Sequence, residues 1–235
     1  MKKEYGLNLF WNKRFLYESF KLPHNDASMK SDQRKKFIAI ASRRAKPGSG
    51  SGPLVLRERT ETYGIPDLRF LVGRVKFVVV GGVATRLYMP ERMTLDTDIL
   101  VLPDDLARTE AALKRVPCKK LGPLAIGGST WRMPGNRFLD VVALDEVWTE
   151  DAIQNSVQGK DGLPYIALPY LVLMKLTAGR VQDMADISRM LGSADDNTVK
   201  ITRRLVSRYR STDVEDLDSL VQLGKLEYKD SQKSR

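Results

Sequence analysis

The chain has 235 residues, of which 42% are hydrophobic and 29% charged, a composition typical of a globular protein with a core. No apolar run approaches the ~18 residues that span a bilayer, and the first residues lack the apolar segment of a signal peptide, so we expect a cytoplasmic protein without a membrane segment. One cysteine and one histidine exclude a disulfide framework and a zinc site of Cys and His.

The positive charge is unevenly distributed along the chain. Residues 1–50 contain twelve Lys and Arg against four Asp and Glu, which accounts for +8 of the net +10. Such a basic arm can follow a nucleic-acid backbone, although a solvated extension would have the same composition, and both interpretations stay open. The stretch "KPGSGSGP" at 46–53 has the composition of a flexible linker. We therefore divide the chain into a basic extension with linker (1–52), a core (53–165) and a C-terminal helical region (166–235).

The first predicted elements surround a double glycine. Residues 67–74 favour a short helix, and the β-branched run "VKFVVV" at 75–80 predicts a central strand that ends at Gly81-Gly82. Residues 83–89 can form two helical turns before a proline stops them. The run "DTDILVL" at 96–102 then predicts the second strand.

The remaining pattern changes from mixed to helical. "PDDLARTEAALKRV" at 103–116 predicts an amphipathic helix, and "STWRMPGNRFLDVVAL" predicts a hairpin whose second arm, 137–144, carries Asp140. From residue 168 the pattern is helical, and we interpret "LPYLVLMKLTAGRVQDMADISRML" as one helix. The predicted fold class is α+β with α/β character: a small mixed β-sheet flanked by helices, followed by a helical C-terminal part.

Two carboxylates lie inside an otherwise apolar strand. Because strand side chains alternate between faces, Asp96 and Asp98 point the same way, about 6 to 7 Å apart. Their mutual repulsion and burial call for a cation, and Mg²⁺ takes one or two carboxylates together with waters and substrate phosphates. If the strand of Asp140 lies beside this one, a third carboxylate joins the cluster. Three carboxylates suit a two-metal site for displacement at phosphorus.

The double glycine can supply the phosphate end of such a site. Gly81 and Gly82 end a strand and begin a helix, so that backbone N–H groups can face a phosphate without an intervening Cβ. Thirteen residues separate Gly82 from Asp96. Thr85 either binds phosphate or caps the short helix. Arg92 either reaches a phosphate or pairs with a carboxylate.

These residues together resemble a known family. A Gly-Gly pair, a gap of about a dozen residues, an Asp-x-Asp strand and a later single Asp are similar to the nucleotidyltransferase superfamily that shares a fold with DNA polymerase β. The segments "GGVATRLY", "RMTLDTDILV" and "LPYLVLMKLTAGRVQDMADI" resemble the bacterial branch of AbiEii-type toxin nucleotidyltransferases and their minimal relatives. The resemblance covers roughly residues 63–191. Many active members have Gly-Ser where this chain has Gly81-Gly82.

The resemblance implies a reaction and a set of roles. Asp96 and Asp98 would bind Mg²⁺ or Mn²⁺, Asp140 would complete the metal site and activate the attacking hydroxyl, and Gly81-Gly82 would receive the triphosphate of an NTP. The implied activity is transfer of NMP to a hydroxyl of RNA such as tRNA, of a protein or of a small molecule, in a toxin that has a cognate antitoxin as partner. The alternative is a module of this fold without turnover that binds or regulates a partner.

Two further segments have both a functional and a plain interpretation. On one helix, Lys175 and Asp186 would be about 20° apart, with Asp183 about 80° from Lys175. By resemblance to the toxin branch, Lys175 would neutralise triphosphate charge, and Asp183 or Asp186 would hold it in place or hold a partner. The plain alternative is a solvated face with ordinary ion pairs.

The helical run 200–210 is either an RNA face or a solvated one; its arginines are Arg203, Arg204, Arg208 and Arg210.

Overall fold

A mixed sheet with helices around it forms the core of the protein. The computed structural model describes residues 31–44, 66–89, 92, 94 and 96–228. Within this part of the chain, eight α-helices accompany one seven-stranded sheet, which confirms the predicted α+β class. The linker at 46–53 and most of the basic arm lie outside the described residues. Among the described residues, we find no helix with the length and hydrophobicity of a membrane span.

The elements follow one another along the chain as short strands and then longer helices. The helices are α1 (Ser31–Arg44), α2 (Gly81–Tyr88), α3 (Leu106–Leu113), α4 (Thr149–Gln154), α5 (Leu168–Ala178), α6 (Val181–Ser193), α7 (Asp196–Tyr209) and α8 (Val214–Tyr228). The strands are β1 (Phe77–Val80), β2 (Asp96–Val101), β3 (Lys119–Pro123), β4 (Gly128–Met133), β5 (Arg137–Ala143), β6 (Val157–Gln158) and β7 (Pro164–Tyr165).

The strand order places the predicted strands in the middle of the sheet. The order is β3-β4-β5-β2-β1-β7-β6, with β2 antiparallel to β1 and parallel to β5. All four residues of β1 are buried, as expected for a β-branched strand covered on both faces. The predicted hairpin is confirmed: β4 and β5 pair antiparallel through a turn in which Gly135 (φ 75°) and Asn136 (φ 58°) adopt left-handed conformations.

Three helix predictions were wrong in extent. Residues 67–74 form only a 3₁₀ turn at Arg69–Leu71, because Gly73 turns the chain with φ 75°. The helix predicted at 103–116 consists of a 3₁₀ turn followed by α3, which already ends at Leu113. The long helix predicted from residue 168 is two helices, α5 and α6, separated at Gly179, whose φ of 61° ends α5 in a left-handed cap.

The C-terminal helices pack at very short distances. At the crossing of α6 and α8, a Cβ on Gly224 would lie 1.9 Å from the Ser188 carbonyl oxygen and 2.8 Å from the Gly192 Cα. Helix α1, which we had included in the basic extension, packs against α8. Its Arg34 is buried and donates hydrogen bonds to Asp213 (2.9 Å) and Asp216 (3.1 Å). Part of the predicted extension therefore belongs to the folded body.

Candidate active site

Three aspartates lie on one face in the centre of the sheet. Asp98 on β2 and Asp140 on β5 are register partners of neighbouring parallel strands, so their side chains project from the same face. Asp96, two residues before Asp98, projects from that face at the start of β2. Asp98 and Asp140 are half-buried, and Asp96 is exposed. The expectation that the strand of Asp140 lies beside the Asp-x-Asp strand is confirmed.

The carboxylates perturb one another. Desolvation is the largest cause in each case and raises the pKa of all three. The charges of Asp140 and Asp96 add to desolvation at Asp98 and bring its pKa to about 7, although Arg180 and Lys175 act in the opposite direction. The pKa of Asp140 is raised by desolvation and lowered in part by a hydrogen bond from Thr130. The face therefore holds more negative charge than its surroundings compensate.

The donor set on this face fits a hard divalent cation. The Oδ1 atom of Asp140 is buried and has no hydrogen-bond partner within the described ranges, which leaves an oxygen ligand in place for a cation. Among the residues that the structure describes, no three His, Cys, Asp or Glu side chains are placed to hold a metal ion together. Asp98 and Asp140 thus match an ion of the magnesium type, which takes one or two carboxylates and completes its shell with water and phosphate oxygens. Asp96 as a further ligand stays a prediction.

The double glycine lies directly against the aspartates. Gly81 begins α2 with φ 63°, and a Cβ at this position would lie 1.9 Å from Asp98 Oδ2. Glycine is required here both by the left-handed backbone and by the contact. The residue before it, Val80, has no side-chain oxygen to cap the first turn of α2. The N–H groups of this turn are therefore suited to an anion next to Asp98.

A threonine that the sequence analysis did not select lies over the second glycine. A Cβ at Gly82 would lie 2.7 Å from the Cβ of Thr94 and 2.8 Å from its Oγ1, so a serine here would require Thr94 to move. Thr94 donates to the Asp96 carbonyl oxygen at 3.2 Å. The position where Gly-Ser members carry a hydroxyl is thus occupied by the side chain of Thr94.

Thr85 forms its side-chain hydrogen bond within α2. Its side chain is fully buried, and its Oγ1 donates to the Gly81 carbonyl oxygen at 2.8 Å, one turn back in α2. This bond lies inside the helix and is not an N-cap contact. The hydroxyl proton of Thr85 is thus engaged within α2, and we do not assign Thr85 to phosphate binding.

Lys175, Asp183 and Asp186 form a buried ion network. The Lys175 Nζ donates to Asp183 Oδ1 at 3.2 Å and to Asp186 Oδ2 at 2.7 Å, and the three residues are 6%, 1% and 0% exposed. Gln182 donates to the other oxygen of Asp186 at 2.9 Å. The structure places the three selected residues in contact, but the prediction that they lie on one helix was wrong. Lys175 is on α5 and both aspartates are on α6, which folds back after Gly179.

Two arginines connect this network to its surroundings. Arg92 Nε lies 3.4 Å from Asp186 Oδ2, so of the two alternatives for Arg92 the carboxylate contact is present. Arg180 Nε donates to Asp183 Oδ2 at 2.7 Å, and its side chain is 69% exposed. Helix α2 packs against both α5 and α6, and the charges of Arg180 and Lys175 lower the pKa of Asp98. The network and the aspartate face therefore lie close together, and we refer to these residues and the start of α2 as the cleft; Arg180 is a member that the sequence analysis did not select.

The arginines of 200–210 differ in their contacts. Arg203 on α7 donates three hydrogen bonds to the carboxylate of Asp218, the shortest 2.9 Å, and Arg210 pairs with buried Asp213. Arg204 and Arg208 are exposed on the same helix. Two of the four predicted RNA-contacting arginines thus already have carboxylate partners.

Comparison with known proteins gives similarity only at the level of solved structures. The chain matches no protein-family model and no curated protein sequence. It aligns with ANT(2'')-Ia in complex with adenylyl-2''-tobramycin at 16% identity and a TM-score of 0.38, covering 66% of this chain and 92% of the other. The Thermotoga maritima CCA-adding enzyme complexed with tRNA gives 17% identity, a TM-score of 0.33 and coverages of 79% and 50%. The Megavirus polyadenylate synthase gives 11%, 0.31, 97% and 43%. Because these TM-scores lie below 0.5, the alignments do not by themselves establish a common fold.

Proposed function

We propose that the protein is a nucleotidyltransferase that moves NMP from an NTP to a hydroxyl acceptor and depends on Mg²⁺ or Mn²⁺. The observation that carries the proposal is the contact between the two halves of the cleft. Asp98, paired in register with Asp140, lies against the backbone of Gly81 at the uncapped start of α2. An uncapped helix start and two unneutralised carboxylates side by side suit a ligand that is both anionic and metal-bound, as a nucleoside triphosphate is.

The residues of the chain have separate tasks in this reaction. The N–H groups of the first turn of α2 bind phosphate oxygens of the NTP beside Gly81. Asp140 accepts the proton of the acceptor hydroxyl, whose oxygen forms a bond to the α-phosphorus as the bond to pyrophosphate breaks. Asp98 and Asp140 would hold the divalent ion, and Asp96 is the proposed further ligand. When bound, that ion would neutralise phosphate charge and act as a Lewis acid on the reacting phosphoryl group.

The acceptor and partners are proposed on the charge distribution and the family resemblance. RNA such as tRNA is our proposed acceptor, because Lys200, Arg204 and Arg208 are exposed along α7 and the first fifth of the chain carries most of the excess positive charge. A role as the toxin of a toxin–antitoxin pair, with the antitoxin as protein partner, follows from the resemblance to the AbiEii-type branch.

The proposal is tested by nucleotide incorporation. The full chain is incubated with Mg²⁺, each labelled NTP in turn, and total RNA, and Asp98→Asn and Asp140→Asn are compared with wild type. Exposed Asp145→Asn serves as the matched control, because it makes the same change outside the cleft. We expect label in RNA with wild type and Asp145→Asn, and a loss of at least about 100-fold with the two cleft variants.

Two negative outcomes have different meanings. If wild type binds NTP in a metal-dependent way by calorimetry but labels neither RNA, protein nor small acceptors, the chain is the non-catalytic binding module. If it neither binds NTP nor transfers label, the nucleotidyltransferase proposal is wrong in both its binding and its catalytic part.

A further inference from the structure

We infer that Arg180 binds the non-transferred phosphates of the NTP, and that Lys175 is a buried positioning residue that does not touch the nucleotide. The inference rests on the proposed function, because it concerns the same cleft. It changes the role that the sequence suggested for Lys175 and adds a residue that the sequence analysis did not select. Three structural observations support it: the enclosure of Lys175, the exposure of Arg180, and the packing of α6, which begins after Arg180, against α2.

The ammonium group of Lys175 is buried and already donates to two carboxylates. Its Nζ donates to Asp183 and Asp186, and its side chain is 7% exposed. The ammonium group therefore lies between two carboxylates, and its hydrogen bonds are directed to them and not to a ligand. Moving this ammonium toward a triphosphate would leave Asp183 and Asp186 buried with less compensation, which is strongly unfavourable. The role of Lys175 is to hold α6 against α5.

One edge of the Arg180 guanidinium is hydrogen-bonded, and most of the side chain is exposed to solvent. Its Nε and one Nη donate to the two oxygens of Asp183, which uses two of the five N–H groups of a guanidinium. The Asp183 carboxylate is itself fixed by Lys175, so the guanidinium is oriented by a buried anchor while 69% of its side chain stays exposed. A planar donor group in this condition is suited to bidentate binding of phosphate oxygens.

The position of Arg180 links it to the aspartate face. It is the N-cap residue of α6, directly after the left-handed turn at Gly179. Helix α6, which begins after Arg180, packs against α2. Asp98 in turn touches the start of α2. An NTP whose α-phosphate lies beside Gly81 and Asp98 therefore has Arg180 as an exposed cation on a neighbouring helix for its outer phosphates.

Binding measurements on Arg180→Gln and Arg180→Lys test the inference. Arg189→Gln is the matched control, since Arg189 is on the same helix, also contacts a carboxylate (Glu227, 3.7 Å), and lies about 180° around α6 from Arg180. With Mg²⁺ present, the affinities for α,β-methylene NTP analogues, for NMPs and for inorganic pyrophosphate are measured by calorimetry on the full chain. The unfolding temperature of each variant is recorded in parallel.

We expect Arg180→Gln to weaken binding of the NTP analogue and of pyrophosphate by about tenfold or more, with little change for NMP. Arg180→Lys should recover part of the loss because it keeps the charge, and Arg189→Gln should bind as wild type does. Equal weakening for NTP and NMP would indicate a structural role only and would overturn the inference. Unchanged NTP affinity in Arg180→Gln would also overturn it, while the proposed function stands. If the wild-type protein binds no NTP, both this inference and the proposed function are contradicted.

Discussion

Replacing Asp98 by Asn should make the metal-free protein more stable at neutral pH. The pKa of Asp98 is raised from an ordinary value of 3.8 to about 7 by desolvation and by its neighbours Asp140 and Asp96. Because the folded-state pKa lies above that of the unfolded chain, folding favours the protonated carboxyl group. This contribution to stability is fully present below about pH 4 and is lost as the pH rises through 7. At pH 8 the folded protein must therefore hold an unfavourable charge that Asn would not introduce.

The size of the effect follows from the two pKa values. The difference between 3.8 and about 7, at 1.36 kcal/mol for each pH unit, sets an upper limit of about 4 kcal/mol. Asp98 is only half-buried, so water screens part of this, and we expect about 1–3 kcal/mol at pH 8. Since Asn is close to isosteric with Asp, it also preserves the contact with Gly81.

Urea unfolding tests this prediction, because it gives the free energy of unfolding. The free energy of unfolding is determined for wild type, Asp98→Asn and the exposed control Asp145→Asn in EDTA at several pH values from 5 to 8.5. The stability of wild type should fall relative to Asp98→Asn as the pH rises, while Asp145→Asn follows wild type. Adding Mg²⁺ with an NTP analogue should stabilise wild type far more than Asp98→Asn. Parallel pH curves for wild type and Asp98→Asn would refute the electrostatic account of this site.

Three further substitutions test the packing around the cleft by the same unfolding assay. Gly81→Ala should lose at least about 2 kcal/mol and all NTP binding, because both φ and the available space exclude a Cβ; wild-type binding would contradict this. Lys175→Met should destabilise by about 3–5 kcal/mol, since it removes the buried ammonium group that contacts both carboxylates, and a neutral effect would show that they protonate instead. Gly224→Ala should lose about 1–3 kcal/mol by forcing α6 from α8, whereas Gly122→Ala, which has open space around its Cβ, should change little; equal stabilities would refute the tight crossing.

The carboxylate face was predictable because its signal is local. Alternation along a strand puts Asp96 and Asp98 on one face whatever the rest of the chain does, and an apolar strand around Asp140 marks a second buried position. The glycine pair could likewise be read as a strand end followed by a helix. Only the adjacency of the strands had to be supplied by the fold, and the structure supplies it through the parallel pairing of β2 with β5.

The remaining features depend on contacts that the sequence does not encode locally. A single glycine inside an apolar helical pattern is often tolerated, so Gly179 gave no clear break, and the turn that separates Lys175 from its aspartates was missed. The roles of Arg180 and Thr94 depend on neighbours from other parts of the chain, which only the structure shows. Arg34 is the extreme case, because its buried partner Asp216 is 182 positions away in the sequence.

The crossing of α6 and α8 determines how far the chain can be shortened. One side of α6 carries Asp183 and Asp186 toward Lys175, and elsewhere its backbone lies against that of α8 at Gly192 and Gly224. Every residue selected for the cleft lies before residue 194, so a truncated protein ending there would still contain all of them. Without α8, however, α6 would lose the helix against which its backbone packs at Ser188 and Gly192, and it would have no fixed position. We therefore expect the proposed nucleotide binding to require the last helix, although none of the selected residues is on it.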